Sequence, residues 1–299
     1  MQRHTATLMG LSAILLWSFS VAVARSLTER LGAVTAAACI YGLGGVLMAL
    51  VQVCRGGGMP SPRHFSRRYL WGCGGLFVGC LVSFYVAIGL AADRLQLLEV
   101  GLVNYLWTVL TVVLSVPILG RRAGLGLIPG VVLAVLGMAM VLTQGSAFSL
   151  PGLVEHIAGN PLAYAAALTA ALTWALYSNL CRRWGAGNRE GAVALFSVAT
   201  GLIFLAGRGM VSTASVWSLR AVLEVAFLAT TSTAGYALWD IGVRRGDFAV
   251  LSTASYFTPL LSSVVSCLYL GVLPGARLWA GCLLIIAGAW TSHRAIRRP

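Results

Sequence analysis

Lysine is absent from this chain. All 21 basic residues among its 299 are arginine, a bias that reflects genomic base composition rather than function. Acids are scarce too, eight Asp and Glu in all, and charged residues make up 10% of the chain against roughly 25% in soluble domains. The seven cysteines, Cys39, Cys54, Cys73, Cys80, Cys181, Cys267 and Cys282, form no CxxC pair and no metal-ligand spacing. They read as small apolar packing residues, and neither a metal nor a cofactor is expected. His4, His64, His156 and His293 lie at the edges of apolar runs or in loops, beside no nucleophile. There is no GxSxG and no HExxH, and Gly42 to Gly45 lacks the GK[ST] ending of a phosphate loop. These absences argue against an enzyme.

What fills the chain is apolar. Hydrophobic residues are 59% and the mean hydropathy is +0.87, the composition of an integral membrane protein. A net charge of +13 would point to nucleic acid in a soluble protein. Here the arginines sit in short loops between apolar runs, so they report topology, and no nucleic-acid partner is expected.

A span needs about 20 apolar residues to cross a hydrocarbon core of about 30 Å. The ten candidates are Thr5 to Ala24, Ala33 to Val53, Leu70 to Ala92, Leu97 to Leu119, Leu125 to Thr143, Pro161 to Leu180, Gly191 to Ala206, Ala221 to Val243, Phe248 to Leu270 and Leu278 to Ile296. The seventh is short. Ala22-Val23-Ala24 imitates a signal-peptidase site, but the apolar run is long for a leader, so the first span reads as a retained helix. Gln144 to Asn160 reads as a loop without arginine. With the N-terminus inside, inside segments hold 15 arginines and outside segments 6. Both termini are then cytoplasmic.

The chain repeats itself. At a separation of 151 residues, Tyr85 meets Tyr236, Arg94 meets Arg245, Tyr105 meets Tyr256, Gly120 meets Gly271, Gly130 meets Gly281 and Gly137 meets Gly288. At 157, Trp17 meets Trp174 and Arg25 meets Arg182. The longer loop Arg55 to Arg68 absorbs the difference. The units are residues 1–144 and 145–299. Five spans per unit is odd, so the units are inverted relative to each other. The expected fold is all-α: ten transmembrane helices as two inverted five-helix repeats around a central cavity, a transporter architecture.

The chain is organised around LLEVGLVNYLWTVLTVVLSVPI, Leu97 to Ile118, whose middle holds Asn104, Tyr105, Trp107 and Thr108. Polar and ring side chains at that depth belong against a cavity or another helix. Aromatics usually gather at membrane interfaces, yet Trp17, Tyr105, Trp107, Trp174 and Tyr256 lie near span centres. Candidate ring walls are Trp17, Tyr85, Trp107, Trp174, Tyr177, Tyr236 and Tyr256. Ser20, Asn104, Thr108 and Ser255 are candidate hydrogen-bonding groups, as suits a small-molecule site. The competing reading is plain helix packing. Ser252, Tyr256, Pro259 and Ser263 form one stripe, and Pro259 should break its helix near Ser255 and Tyr256, freeing the Ser255 carbonyl toward the cavity. Pro259 is the candidate hinge, while Thr108 at the matched place should bend its helix only mildly. Gly75-xxx-Gly79, Gly126-xxx-Gly130 and the matched pairs Gly130/Gly137 and Gly281/Gly288 read as close helix approach, or as the face of a weak homodimer of an otherwise monomeric chain. No carboxylate lies at mid-depth. Glu99 and Asp240, the latter close to Arg244, are candidates for ion coupling, against pairing at helix ends.

LLWSFSVAVAR at 15–25, LLEVGLVNYLWT at 97–108 and Tyr256-Phe-Thr-Pro259 resemble the drug/metabolite transporter superfamily, specifically its EamA-type ten-helix members, closest to the YddG-type aromatic amino acid exporters. The resemblance spans the whole chain. It implies inner-membrane export of aromatic amino acids and similar small amphiphiles by alternating access through a central cavity. One departure is Thr108, where that family's run often continues with proline. Rival readings are a broad drug/metabolite or nucleotide-sugar carrier and, in another class, a channel-like protein or scramblase. A nucleotide-sugar site should carry basic residues at mid-depth, and none is placed there. The expected partners are a small-molecule substrate and membrane lipid.

Overall fold

The computed structural model describes residues 2–54, 61–143, 148–186, 191–211, 214–270 and 275–297. Arg55, Arg189, Gly271 and Arg298, and the start of the Gln144 to Asn160 loop, lie outside them, as do the side chains of Arg25, Arg94 and Cys267. The elements are helical apart from two short strands: α1 Arg3–Leu31, α2 Ala33–Cys54, α3 Gly74–Leu90 opened by a π-helical turn Arg68–Cys73, α4 Arg94–Leu119, α5 Leu127–Leu142, α6 Leu150–Gly159, α7 Pro161–Gly185, α8 Val193–Arg208, α9 Leu219–Arg245, α10 Phe248–Ala254, α11 Thr258–Leu270 and α12 Ala276–Ala295. Among the described residues, five helical stretches are long and apolar enough to cross a membrane, Ala33–Cys54, Arg68–Leu90, Leu95–Leu119, Leu219–Arg245 and Phe248–Val265, and α5 and α8 are shorter apolar helices.

The helix ends obey local chemistry. Asp93, Ser149, Ser218 and Asp247 each accept a backbone N–H of the first turn of α4, α6, α9 and α10, satisfying donors that have no partner inside the helix. Pro161 opens α7, where its missing N–H costs nothing. α4 closes on Gly120 at φ 65°, the left-handed conformation glycine adopts freely.

One expected loop is partly helical. α6 lies within the Gln144 to Asn160 segment, capped by Ser149, with Pro151 in its first turn. Its Leu150, Val154 and Ile157 sit at helical spacing and are exposed. Ten residues with one apolar stripe are too short to read as a span, yet the cap and proline suffice to start a helix.

The halves of the chain interlock. α1 packs on α9, α2 on α8, α3 and α4 on α7, α5 on α12, and α1 also on α11. The seam between α5 and α12 is built from glycine. A Cβ at Gly137 would stand 2.7 Å from the Gly281 carbonyl, and one at Gly281 would stand 2.8 Å from that of Gly137. Gly130 and Gly288 repeat the arrangement at 3.0 and 2.7 Å. These glycines therefore serve contact within the chain and are not open for a homodimer. Gly75 has open space where a Cβ would stand, and Gly79 meets only Thr173 at 4.0 Å, so that small-xxx-small pattern makes no close approach here. Beyond the seam, Arg122–Ala123 pairs antiparallel with Ile296–Arg297, joining the α4–α5 connection to the segment after α12.

The break in the ninth span falls where proline demands it. α10 stops at Ala254, Ser255–Phe257 is a 3-10 turn, and α11 resumes with Pro259 in its first turn. The freed carbonyl is not left for the interior, contrary to expectation: the Thr258 N–H reaches back to the Ser255 oxygen, since a tighter turn shifts the bond from i+4 to i+3. α4 runs unbroken through Thr108, whose hydroxyl donates to the Tyr105 carbonyl at 3.0 Å.

Candidate functional site

The interior of the bundle is a cluster of aromatic rings centred on Trp17 of α1. Its indole lies 6.2 Å from Trp107 (α4), 5.7 Å from Trp174 (α7), 5.4 Å from Tyr236 and 5.6 Å from Trp239 (both α9), centroid to centroid. Trp107 and Trp174 meet edge-to-face at 6.2 Å. Tyr177 lies on Trp174 at 5.0 Å, and Phe77 of α3 touches Trp174, Tyr177 and Tyr236. A second ring group adjoins it: Tyr41 of α2 contacts Tyr85, Phe204 and Tyr236. Edge-to-face and tilted arrangements match the ring quadrupole.

Trp17, Tyr85, Trp107, Trp174, Tyr177 and Tyr236 thus come together from α1, α3, α4, α7 and α9. Tyr256 does not join them. It is buried in a separate cluster with Val109, Val112, Met138 and Ile285, against α5 and α12. Depth along the span does not tell which face a ring occupies, and the face that carries Tyr256 is turned to α5 and α12. Tyr105 borders that second cluster, and its hydroxyl donates to Ser262 at 3.4 Å. The expected polar groups are mostly engaged. Ser20 donates to the Leu16 carbonyl and lies 3.2 Å from the Thr231 hydroxyl, Ser255 donates to the Ser252 carbonyl, and Asn104 is half-buried. Serine and threonine inside helices commonly bond back this way. At the centre, the Trp17 ring N–H is buried without a hydrogen-bond partner among the described residues. It faces Gly235 so closely that a Cβ there would stand 2.6 Å from it.

Two carboxylates are fully buried at opposite ends of the ring cluster's helices. Glu99 faces His156 of α6 at 3.0 Å and accepts the Tyr164 hydroxyl of α7. Asp240 accepts Arg244 Nε at 2.7 Å on Oδ2, and on Oδ1 the Tyr69 hydroxyl at 3.0 Å, the Tyr177 hydroxyl at 3.3 Å and the Cys181 thiol at 3.2 Å. Both are paired, as helix-end carboxylates should be. Arg244 is a correction to the loop assignment. It lies inside α9, and both it and Asp240 are only 1% exposed at the side chain. An i, i+4 pair one turn from a helix end reads in sequence as solvated, and only packing of α7 and the π turn against α9 buries it. Sequence reasoning also passed over Tyr41, Phe77, Phe204 and Trp239. The first three are rings in uniformly apolar helices and carry no signal. Trp239 had one, since it stands three residues after Tyr236 on the same helical face.

The EamA-like transporter family matches residues 4–143 and again 161–292. The chain belongs to the EamA-like transporter family. It is thus an all-helical, multi-pass membrane protein. This EamA-like transporter is 32% identical over 301 residues to a protein of Salmonella typhimurium strain 14028s, 31% over 303 to one of Escherichia coli K12 and 31% over 300 to one of Ancylobacter novellus; the comparison covers 100% of both chains in each case. All three relatives carry the name aromatic amino acid exporter YddG. A solved crystal structure at 29% identity superposes with a TM-score of 0.80, covering 97% of this chain and 98% of the other.

Proposed function

We propose that this protein exports aromatic amino acids and similar small amphiphiles across a bacterial inner membrane by alternating access, with both termini cytoplasmic. The observation that carries the reading is the Trp17 cluster, whose rings come from both segments matched by the family, Trp17 and Trp107 from the first and Trp174, Tyr236 and Trp239 from the second. An aromatic substrate replaces ring–ring contacts with contacts of the same kind. The unpartnered Trp17 N–H in the middle is a donor for a neutral oxygen on a substrate side chain, such as a phenol hydroxyl. The full-length relatives named for aromatic amino acid export agree with that substrate class.

Two inverted five-helix repeats are the architecture that suits this function. The packing supports the repeat: exchanging the matched helices turns α1 on α9 into α7 on α3, and turns α4 on α7 into α11 on α1, all of which pack. The reciprocal contacts Gly137 with Gly281 and Gly130 with Gly288 obey the same exchange. Rings in mutual contact describe a closed interior, which either half must part to admit cargo.

The test is counterflow of radiolabelled L-phenylalanine in proteoliposomes. Saturable exchange, competed by tryptophan and tyrosine but not by aspartate, is the expected result. Flux that neither saturates nor responds to competitors would instead support a channel-like protein.

A further inference from the structure

An amino acid carries two charges besides its side chain, and the ring cluster offers neither a cation nor an anion. Bringing a zwitterion out of water demands partners for both ends. The hydroxyls of Ser20 and Ser255 donate to carbonyls of their own helices. Within α9, however, Asp240 and Arg244 form a fully buried pair of opposite charge. A buried ion pair is seldom held for stability, because well-packed apolar residues do as well or better. An ionisable residue inside a membrane-spanning segment points first to function.

The pair is continuous with the rings. Trp239 precedes Asp240 and touches Trp17 and Trp107. Tyr177 packs its ring on Trp174 and Phe77 and donates its hydroxyl to Asp240 Oδ1. That oxygen collects three neutral donors, from Tyr69, Tyr177 and Cys181. An ammonium group supplies three donors and a charge, so it can take their place. Arg244 engages Asp240 through Nε. Its Nη2 lies beside Gly191, where a Cβ would stand only 3.0 Å away and would collide with Asp240 Oδ2. Backbone without a side chain thus covers the pair just before α8.

We propose that Asp240 and Arg244 are the head-group site for the zwitterion of an amino acid: Asp240 takes the ammonium, Arg244 takes the carboxylate, and the side chain enters the ring cluster past Tyr177. In the closed structure the two residues pair with each other and the tyrosine hydroxyls stand where the ammonium would be. The pair sits one turn from the end of α9 that the arginine distribution places on the cytoplasmic side, where an exporter loads. This site rests on the export reading above.

Direct binding to the purified full-length protein, measured by calorimetry, tests it with three probes: L-phenylalanine, phenethylamine, which lacks the carboxylate, and 3-phenylpropionate, which lacks the ammonium. The unaltered protein should bind L-phenylalanine about tenfold or more tightly than either truncated probe, since a site built for a polar group rejects the analogue lacking it. Arg244→Gln should weaken L-phenylalanine and 3-phenylpropionate and leave phenethylamine unchanged. Asp240→Asn should weaken L-phenylalanine and phenethylamine and leave 3-phenylpropionate unchanged. Arg244→Lys, which keeps the charge, should keep the preference for a carboxylate, and if Arg244→Gln does not fold the selective loss in Asp240→Asn decides the matter. Equal loss for all three probes, or the same preference in every variant, would make the pair a structural lock and overturn the site. If the unaltered protein binds none of the three, the export reading fails and the site with it. If it binds all three equally, the site alone fails.

Discussion

Trp17 holds four rings at once, so the shape of the cluster depends on its exact seat. Gly235 provides that seat, with the indole nitrogen where a methyl group would stand. Gly235→Ala should push the indole away and narrow the range of accepted substrates, lowering exchange of tryptophan more than that of phenylalanine. Equal exchange of both in the variant would show that the indole does not form part of the route. Trp107 needs a gentler change than truncation. The sequence suggests a cavity residue that adds little to packing, but it is buried among three other tryptophans, and cutting such a ring to alanine costs about 3–5 kcal/mol. Trp107→Phe keeps a ring in place. It should retain expression while reducing tryptophan exchange several-fold, because stacking contributes about 0.5–1.5 kcal/mol beyond burial. Unchanged exchange would assign Trp107 to packing alone. Residues at this scale were only half legible. Trp17 and Trp174 were found because they recur at a constant separation, and they do touch. Tyr256 and its repeat partner Tyr105 have equally good spacing, yet both belong to the second cluster, against α5 and α12. The burial of Arg244 depends on a neighbour, α7, more than 50 residues away in sequence, which no local pattern encodes.

At the scale of elements, the α10–α11 joint and the α5–α12 seam are opposites. The joint interrupts helical bonding at Ser255–Phe257, and a helix interrupted at proline is the natural place for bending. Pro259→Ala lets the amide at 259 donate again and allows α10 and α11 to fuse. Turnover should then fall more than affinity does, since the change affects motion. Normal turnover in the fused variant would reject the hinge. The seam has no such freedom. Gly137→Leu would drive a side chain into the Gly281 carbonyl and Ile285, and overpacking of this kind costs about 1–3 kcal/mol or more. The variant should unfold in detergent several degrees below the parent, and an unchanged melting temperature would mean that the seam opens easily. The seam was legible from matched glycines and the joint from one proline. α6 was not, because ten residues with a few apolar positions look alike in a loop and in a helix lying on a surface.

For the whole molecule, the arginine split sets the orientation to be tested. Gly159, at the end of α6, has open space around a would-be Cβ. A cysteine there, in a background without the native seven, should react with an impermeant maleimide in intact cells. Labelling only after lysis would invert the assignment and move the Asp240 pair to the opposite face. The repeat is proposed from residue spacing, and five spans per unit would force its inversion. What spacing did not reveal is how thoroughly the halves interleave.

That interleaving has a consequence for how the protein is made. α1 rests mainly on α9, α2 on α8 and α5 on α12, so the first helices to leave the ribosome have no permanent partner. α1 must wait for α9, about 200 residues later, which at about 5–20 residues per second is on the order of 10–40 s. During that interval the face with Trp17 and Ser20 lacks its final partners on α9. The early helices must therefore be tolerable to the bilayer alone, which suits hydroxyls such as those of Ser18, Ser20 and Thr28 that bond back to their own helix. Biogenesis thus constrains α1 before transport does: it is made well ahead of α9, and only afterwards becomes the centre of the cluster.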